Sequence, residues 1–190
     1  MPNNPTKIIK GENCGVDFTV PTKSTAYNYE LDGKLIENNG SWLYTDSYDS
    51  YALYTLKLGN PIKHDAVVFG EPDDLSIHDP IRGIIINCIA KNEFGLKDAR
   101  SIIEETIAPD YQRINYSRNI LSNFSIYSKW GMDEVLQHTL SEDNDGYKSN
   151  EKHNYLLASD KFYEITELGF LPHEEIESQA QQILDNLIFN

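Results

Sequence analysis

The sequence lacks nearly every pattern that would announce a chemistry. It contains no P-loop, no G-x-G-x-x-G, no H-E-x-x-H, no C-x-x-C and no G-x-S-x-G. Those absences remove the common signatures of phosphate cradles, dinucleotide sites, zinc proteolysis, dithiol exchange and serine hydrolysis. Long apolar runs are missing too. The longest, Ile84-Ile85-Ile86, stops at Asn87, far short of the roughly 18 residues of a membrane span. The first residues, Met1-Pro2-Asn3-Asn4-Pro5, have no apolar core of the kind a signal peptide needs.

Cysteine occurs only twice, as Cys14 and Cys88. A chain of 190 residues can bury an adequate core without staples, so the expectation is a reduced pair in the cytoplasm. Cys88 lies in the apolar run Ile86-Asn87-Cys88-Ile89 and reads as a small buried hydrophobe. Cys14, in Asn13-Cys14-Gly15, reads as the more exposed of the two.

Positive charge is scarcest at the end. Residues 131–190 hold 3 Lys or Arg against 13 Asp or Glu, so this third carries −10 of the total −14. A surplus of that size repels polyanions and attracts cationic partners. The segment 111–130 is the exception, with Tyr111, Arg113, Tyr116, Arg118, Tyr127, Lys129 and Trp130 and no acid. Arginine beside aromatics is what single-stranded nucleic acid binding uses. Here the cations are few and the whole molecule opposes a polyanion. The expectation is therefore that they pair with the protein's own acids, with no nucleic acid and no membrane as partner.

What is present fits a folded domain. Apolar residues make up 39% and aromatics 11%, mainly through 12 tyrosines, which argues against disorder. Residues 1–15 read as a loose arm. Val16 to Val20 alternates and stops at Pro21. Tyr27 to Leu31 and Lys34 to Glu37 flank Asp32-Gly33, a type I′ hairpin signal. Asn38-Asn39-Gly40 reads as another turn. Trp42 to Thr45, Tyr51 to Leu58 and Asp65 to Phe69 read as further strands. Ile81 to Ala90 fits a strand or a helix.

Beyond residue 91 the pattern looks helical. Leu96, Ala99, Ile102, Ile103 and Ile107 recur at helical spacing before Pro109, a weaker candidate covers 114–128, and Met132, Val135, Leu136 and Leu140 predict a helix over 131–140. Ser141 to Asn154 reads as a polar loop. Tyr155 to Leu157 and Phe162 to Ile165 flank Ser159-Asp160 as a hairpin. The last helix has Pro172 in its first turn, Glu174 and Glu175 after it, and the stripe Ile176, Ala180, Ile183, Leu184, Leu187, Ile188. The expected fold is a single α+β domain: an antiparallel meander over 16–90, packed against a mainly helical 91–190 with a hairpin at 155–165 and a C-terminal amphipathic helix.

No catalytic residue, metal or cofactor is assigned. The loop Ser141-Glu142-Asp143-Asn144-Asp145-Gly146 echoes the start of an EF-hand, but Lys152 stands where the bidentate Glu belongs. His64-Asp65 and His78-Asp79 are sequence neighbours, which on a strand face opposite ways, and no tight His/Cys spacing marks zinc. In size and charge the chain is similar to small acidic antagonists such as bacterial toxin-immunity proteins and phage inhibitors, a likeness that covers no motif.

The favoured expectation is a protein-binding module that antagonises a basic partner such as a nuclease. Glu142, Asp143, Asp145, Glu174, Glu175 and Glu177 would supply the anionic surface, with Trp130 and Tyr147 as anchors. The alternatives are a hydrolase assembled from His78, Asp79 and either Cys14 or Asp73, and an accessory subunit of a larger assembly.

Overall fold

The computed structural model describes residues 5–46, 63–71, 82–90, 119–120, 125–144, 147–158, 160–169 and 173–190. Within them the chain is mostly strand, with one helix. Its elements are β1 (Thr6–Ile9), β2 (Val16–Pro21), β3 (Thr25–Leu31), β4 (Lys34–Thr45), β5 (Lys63–Gly70), β6 (Arg82–Ala90), β7 (Asn119–Ile120), β8 (Ser125–Lys129), β9 (Met132–Asn144), β10 (Tyr147–Leu157), β11 (Lys161–Gly169), α1 (Glu174–Asp185) and β12 (Ile188–Phe189). A nine-stranded sheet runs β3-β4-β5-β6-β11-β10-β9-β7, with β8 also on β9, and a small sheet runs β1-β2-β12. Every pairing is antiparallel.

This overturns the helix-rich α+β expectation. The span 132–140 belongs to strand β9, and 119–120 and 125–128, inside the predicted 114–128 helix, belong to strands β7 and β8. The spans 51–58 and 96–107 lie outside the described residues. The physical reason is visible in β9. Val135 packs with the core beneath α1, while Leu136, its neighbour, is buried on the opposite sheet face. A strand buried on both faces loses its period-2 alternation, so Val135 and Leu136 imitated two adjacent positions on a helix. β6 and β11 are likewise buried almost continuously.

Two hairpins are closed by left-handed residues. Asp32 (φ 51°) and Gly33 (φ 73°) join β3 to β4 as their sequence suggests, and Trp130 (φ 55°) and Gly131 (φ 75°) join β8 to β9. The second tight turn replaces the expected break between two helices. Asn38-Asn39-Gly40 does not turn. It continues β4, with Asn38 opposite Tyr27 and Gly40 opposite Thr25. Gly40 leaves room for the Phe69 ring, which a Cβ there would meet at 2.6 Å. Within the polar stretch, 141–144 and 147–154 are strand as well: β9 and β10 pair as far as Asn144 and Tyr147. The β10–β11 hairpin and the last helix follow the sequence reading, except that α1 has His173 as its N-cap and ends at Asp185, with Leu187 beyond it and Ile188 in β12, while Pro172 lies outside the described residues.

α1 lies against β2 and β6. Ile176, Ala180, Ile183 and Leu184 share one core with Phe18 and Val20 of β2, Trp42 of β4, Phe69 of β5, Ile84 and Ile86 of β6 and Ile165 of β11. Trp42 Nε1 donates to Gln179 Oε1 at 3.0 Å, and Gln179 Nε2 donates to Thr25 Oγ1 at 2.7 Å. Both bonds satisfy groups that burial would otherwise strand. None of the described helices is long and apolar enough to cross a membrane.

The N-terminal arm is docked, where a loose segment was expected. Cys14 forms a disulfide with Cys88, with Cα atoms 5.6 Å apart and both residues buried. The neighbouring Asp65 carboxylate is wholly buried. It accepts from the Cys14 amide at 2.7 Å, the Asn13 amide at 3.2 Å and the Tyr44 hydroxyl at 2.7 Å. Beside this arm the Asn190 amide donates to the Gly15 carbonyl at 3.0 Å.

Candidate functional site

The acidic residues proposed from sequence fall mostly at one end of the large sheet. Glu174, Glu175 and Glu177 form the first turn of α1, where their charge complements the unpaired amides and the helix dipole. The N-cap His173 makes no side-chain capping bond, so these carboxylates are the local compensation. Glu174 and Glu175 are exposed. Glu177 accepts from Arg82 Nη2 at 2.7 Å, and Arg82 also pairs with the buried Glu167 at 3.3 Å, a carboxylate it shares with Lys152 at 3.3 Å. Arg82 thus ties helix to sheet. It does so across Gly169, whose missing Cβ leaves space for the guanidinium.

Strand register carries the hairpin acids to the same end. Arg82 pairs with Gly169, the last residue of β11. β10 and β9 run beyond that point, pairing Ser149 with Glu142, Lys148 with Asp143 and Tyr147 with Asn144. The backbones of Glu142, Asp143 and Tyr147 therefore project past the sheet end at which α1 begins. Asp145 lies outside the described residues. An open depression lined by His173, Glu174, Glu175 and Ser178 sits at this helix start.

Trp130 is at the other end of α1, roughly 15 Å away along the helix axis. Its Nε1 donates to the Leu184 carbonyl at 2.7 Å, its ring lies 5.9 Å from that of Phe189, and Lys129 Nζ stands 4.9 Å from its centroid. Lys129 in turn pairs with Asp185 at 2.6 Å, which is the intramolecular pairing expected for that basic segment. Trp130 and the helix-start acids do not converge.

A buried polar row escaped the sequence reading. On the sheet face away from α1, His153 Nδ1 meets Glu164 Oε1 at 3.1 Å and Nε2 meets Glu151 Oε2 at 3.1 Å. Burial pushes the imidazole pKa down, but the two carboxylates outweigh it and raise the value from 6.5 to about 9. Glu164 also accepts from Tyr155 Oη at 3.0 Å and from Asn87 Nδ2 at 3.2 Å. The signal that could have found the cluster is Glu151-x-His153-x-Tyr155, three polar-tipped residues at period two. Cys14, offered as a nucleophile, is bonded to Cys88 and has no thiolate to give. His78, Asp79 and Asp73 lie outside the described residues, and among the described residues no three His, Cys, Asp or Glu converge to hold a metal.

No protein-family model matches the chain, and no curated protein matches it. Solved structures do. The chain is similar to cyanobacterial PsbP (CyanoP) from Synechocystis, with a TM-score of 0.52 at 10% identity, covering 100% of this chain and 95% of that one. It also matches LpqN of Mycobacterium tuberculosis, involved in cell envelope biogenesis, with a TM-score of 0.48 at 12% identity, covering 97% and 90%. The likeness to CyanoP is one of fold.

Proposed function

We propose that the chain is a docking module whose acidic sheet end captures a cationic protein segment, the narrower form being an antagonist of a basic enzyme such as a nuclease. The observation that supports this most is the placement of the Glu174–Glu177 turn and the Glu142–Asp143 hairpin beyond the same end of the sheet. Acidic residues borne by these two segments would steer a basic partner and raise its association rate. The Cys14–Cys88 bond favours an oxidising compartment over the cytoplasm as the place of action. The hydrolase alternative gains nothing from Cys14.

The test is capture from the source cell by immobilised protein, at low and at high salt, with identification of what elutes. A set of basic proteins held at low salt, released at high salt and not held by a variant with Glu142, Asp143, Asp145, Glu174, Glu175 and Glu177 changed to Lys is the expected result. Equal capture by the variant, or capture indifferent to salt, overturns the reading.

A further inference from the structure

The buried row ends in groups that nothing in the described structure satisfies. His64 of β5 pairs in register with Asn87 of β6, so their side chains stand on one sheet face, about 5 Å apart at Cβ. Asn87 is 1% exposed. Its Nδ2 donates to Glu164 Oε2, and because a carboxylate accepts hydrogen bonds, the amide orientation is fixed with Oδ1 turned away from Glu164. Glu164 is itself held by His153 and Tyr155. Asn87 Oδ1 has no hydrogen-bond partner, and neither His64 ring nitrogen has one, although all three atoms are shielded from solvent. His64 is held from behind, its carbonyl accepting from Asn13 Nδ2 at 3.0 Å. As a residue it is only half-buried.

A neutral imidazole offers one donor and one acceptor, and Asn87 Oδ1 adds a second acceptor. Leaving such groups desolvated and unpaired is unfavourable. A carboxylate or phosphate would set like polarity against Asn87 Oδ1. A hydroxyl fits, because it can donate to Oδ1 while accepting from the imidazole N–H.

We propose that His64 and Asn87 form a binding site for a small neutral ligand bearing a hydroxyl group. The pair reads the hydroxyl in both directions, and the chain of bonds through Glu164 to His153 keeps the Asn87 amide oriented to do so.

Glycerol is the probe, and the ring nitrogens of His64 in labelled protein are the readout. A saturable shift of those signals is expected, with the affinity reduced about tenfold or more in Asn87→Leu and retained in His64→Gln, followed through the Asn87 amide. If Asn87→Leu does not fold, His64→Phe, which removes donor and acceptor at a half-buried position, should abolish the shift of the Asn87 amide. No saturable shift, an undiminished response in Asn87→Leu or His64→Phe, or a long-lived water at His64 with no response to glycerol, which would mark a structural hydration site only, overturns the proposal.

Discussion

The two faces of the large sheet are held together by different forces. Beneath α1 the contacts are mainly apolar, from Phe18 and Trp42 through Ile84, Ile86 and Ile165 to Ile176 and Ile183. On the opposite face Ile85, Ala66, Val68 and Leu168 form a smaller apolar group, beside a buried imidazole locked between carboxylates. Apolar burial tolerates any pH. A buried ion pair depends on both partners keeping their charge. One strand, β11, serves both regimes through alternate residues, with Tyr163 and Ile165 turned to the first and Glu164 and Thr166 to the second.

The sharpest way to break the first face is Ile183→Asp. Ile183 is 0% exposed, and the new carboxylate would have no partner among the apolar side chains around it. A loss of about 4 kcal/mol or more is expected, read as a collapse of the thermal transition.

The second face should yield to pH. His153 has a folded pKa near 9 against 6.5 for the free side chain. A raised value means that the folded state holds the proton more tightly. The stability it contributes is complete below about pH 6.5 and is lost as pH climbs through about 9. That contribution is on the order of 3 kcal/mol. Urea midpoints should therefore fall across this window, and Glu164→Gln should flatten the slope. A wild-type midpoint that rose over the same range would contradict the ion-pair account.

The smallest effect belongs outside both faces. Lys129 pairs with Asp185 in a half-exposed setting, so Lys129→Ala should cost about 1 kcal/mol or less. A melting shift comparable to that of Glu164→Gln would show that its position over Trp130 matters more than the ion pair.

Much of this could be read in the chain, and the failures share a cause. Asp32-Gly33 and Ser159-Asp160 are local turn chemistry and need no tertiary context. The α1 stripe has one dry side and one wet side, so its period is clean. β6 and the Val135-Leu136 step of β9 are buried on both faces, so Val135-Leu136 and Ile84-Ile85-Ile86 carry no alternation to read. Asn38-Asn39-Gly40 has turn composition, yet Gly40 answers to Phe69 across the sheet, a demand set 29 residues away. Among the candidate site residues, Glu174, Glu175 and Glu177 could be placed because their helix could. His153 and Asn87 could not, since their partners come from other strands.

The Cys14–Cys88 bond spans 74 positions, and that span has a practical consequence for handling the protein. A protease that cuts once anywhere between those two cysteines releases no fragment. The nicked chain migrates as one species until a reductant is added, so an intact band on a non-reducing gel says nothing about whether the polypeptide between them is whole.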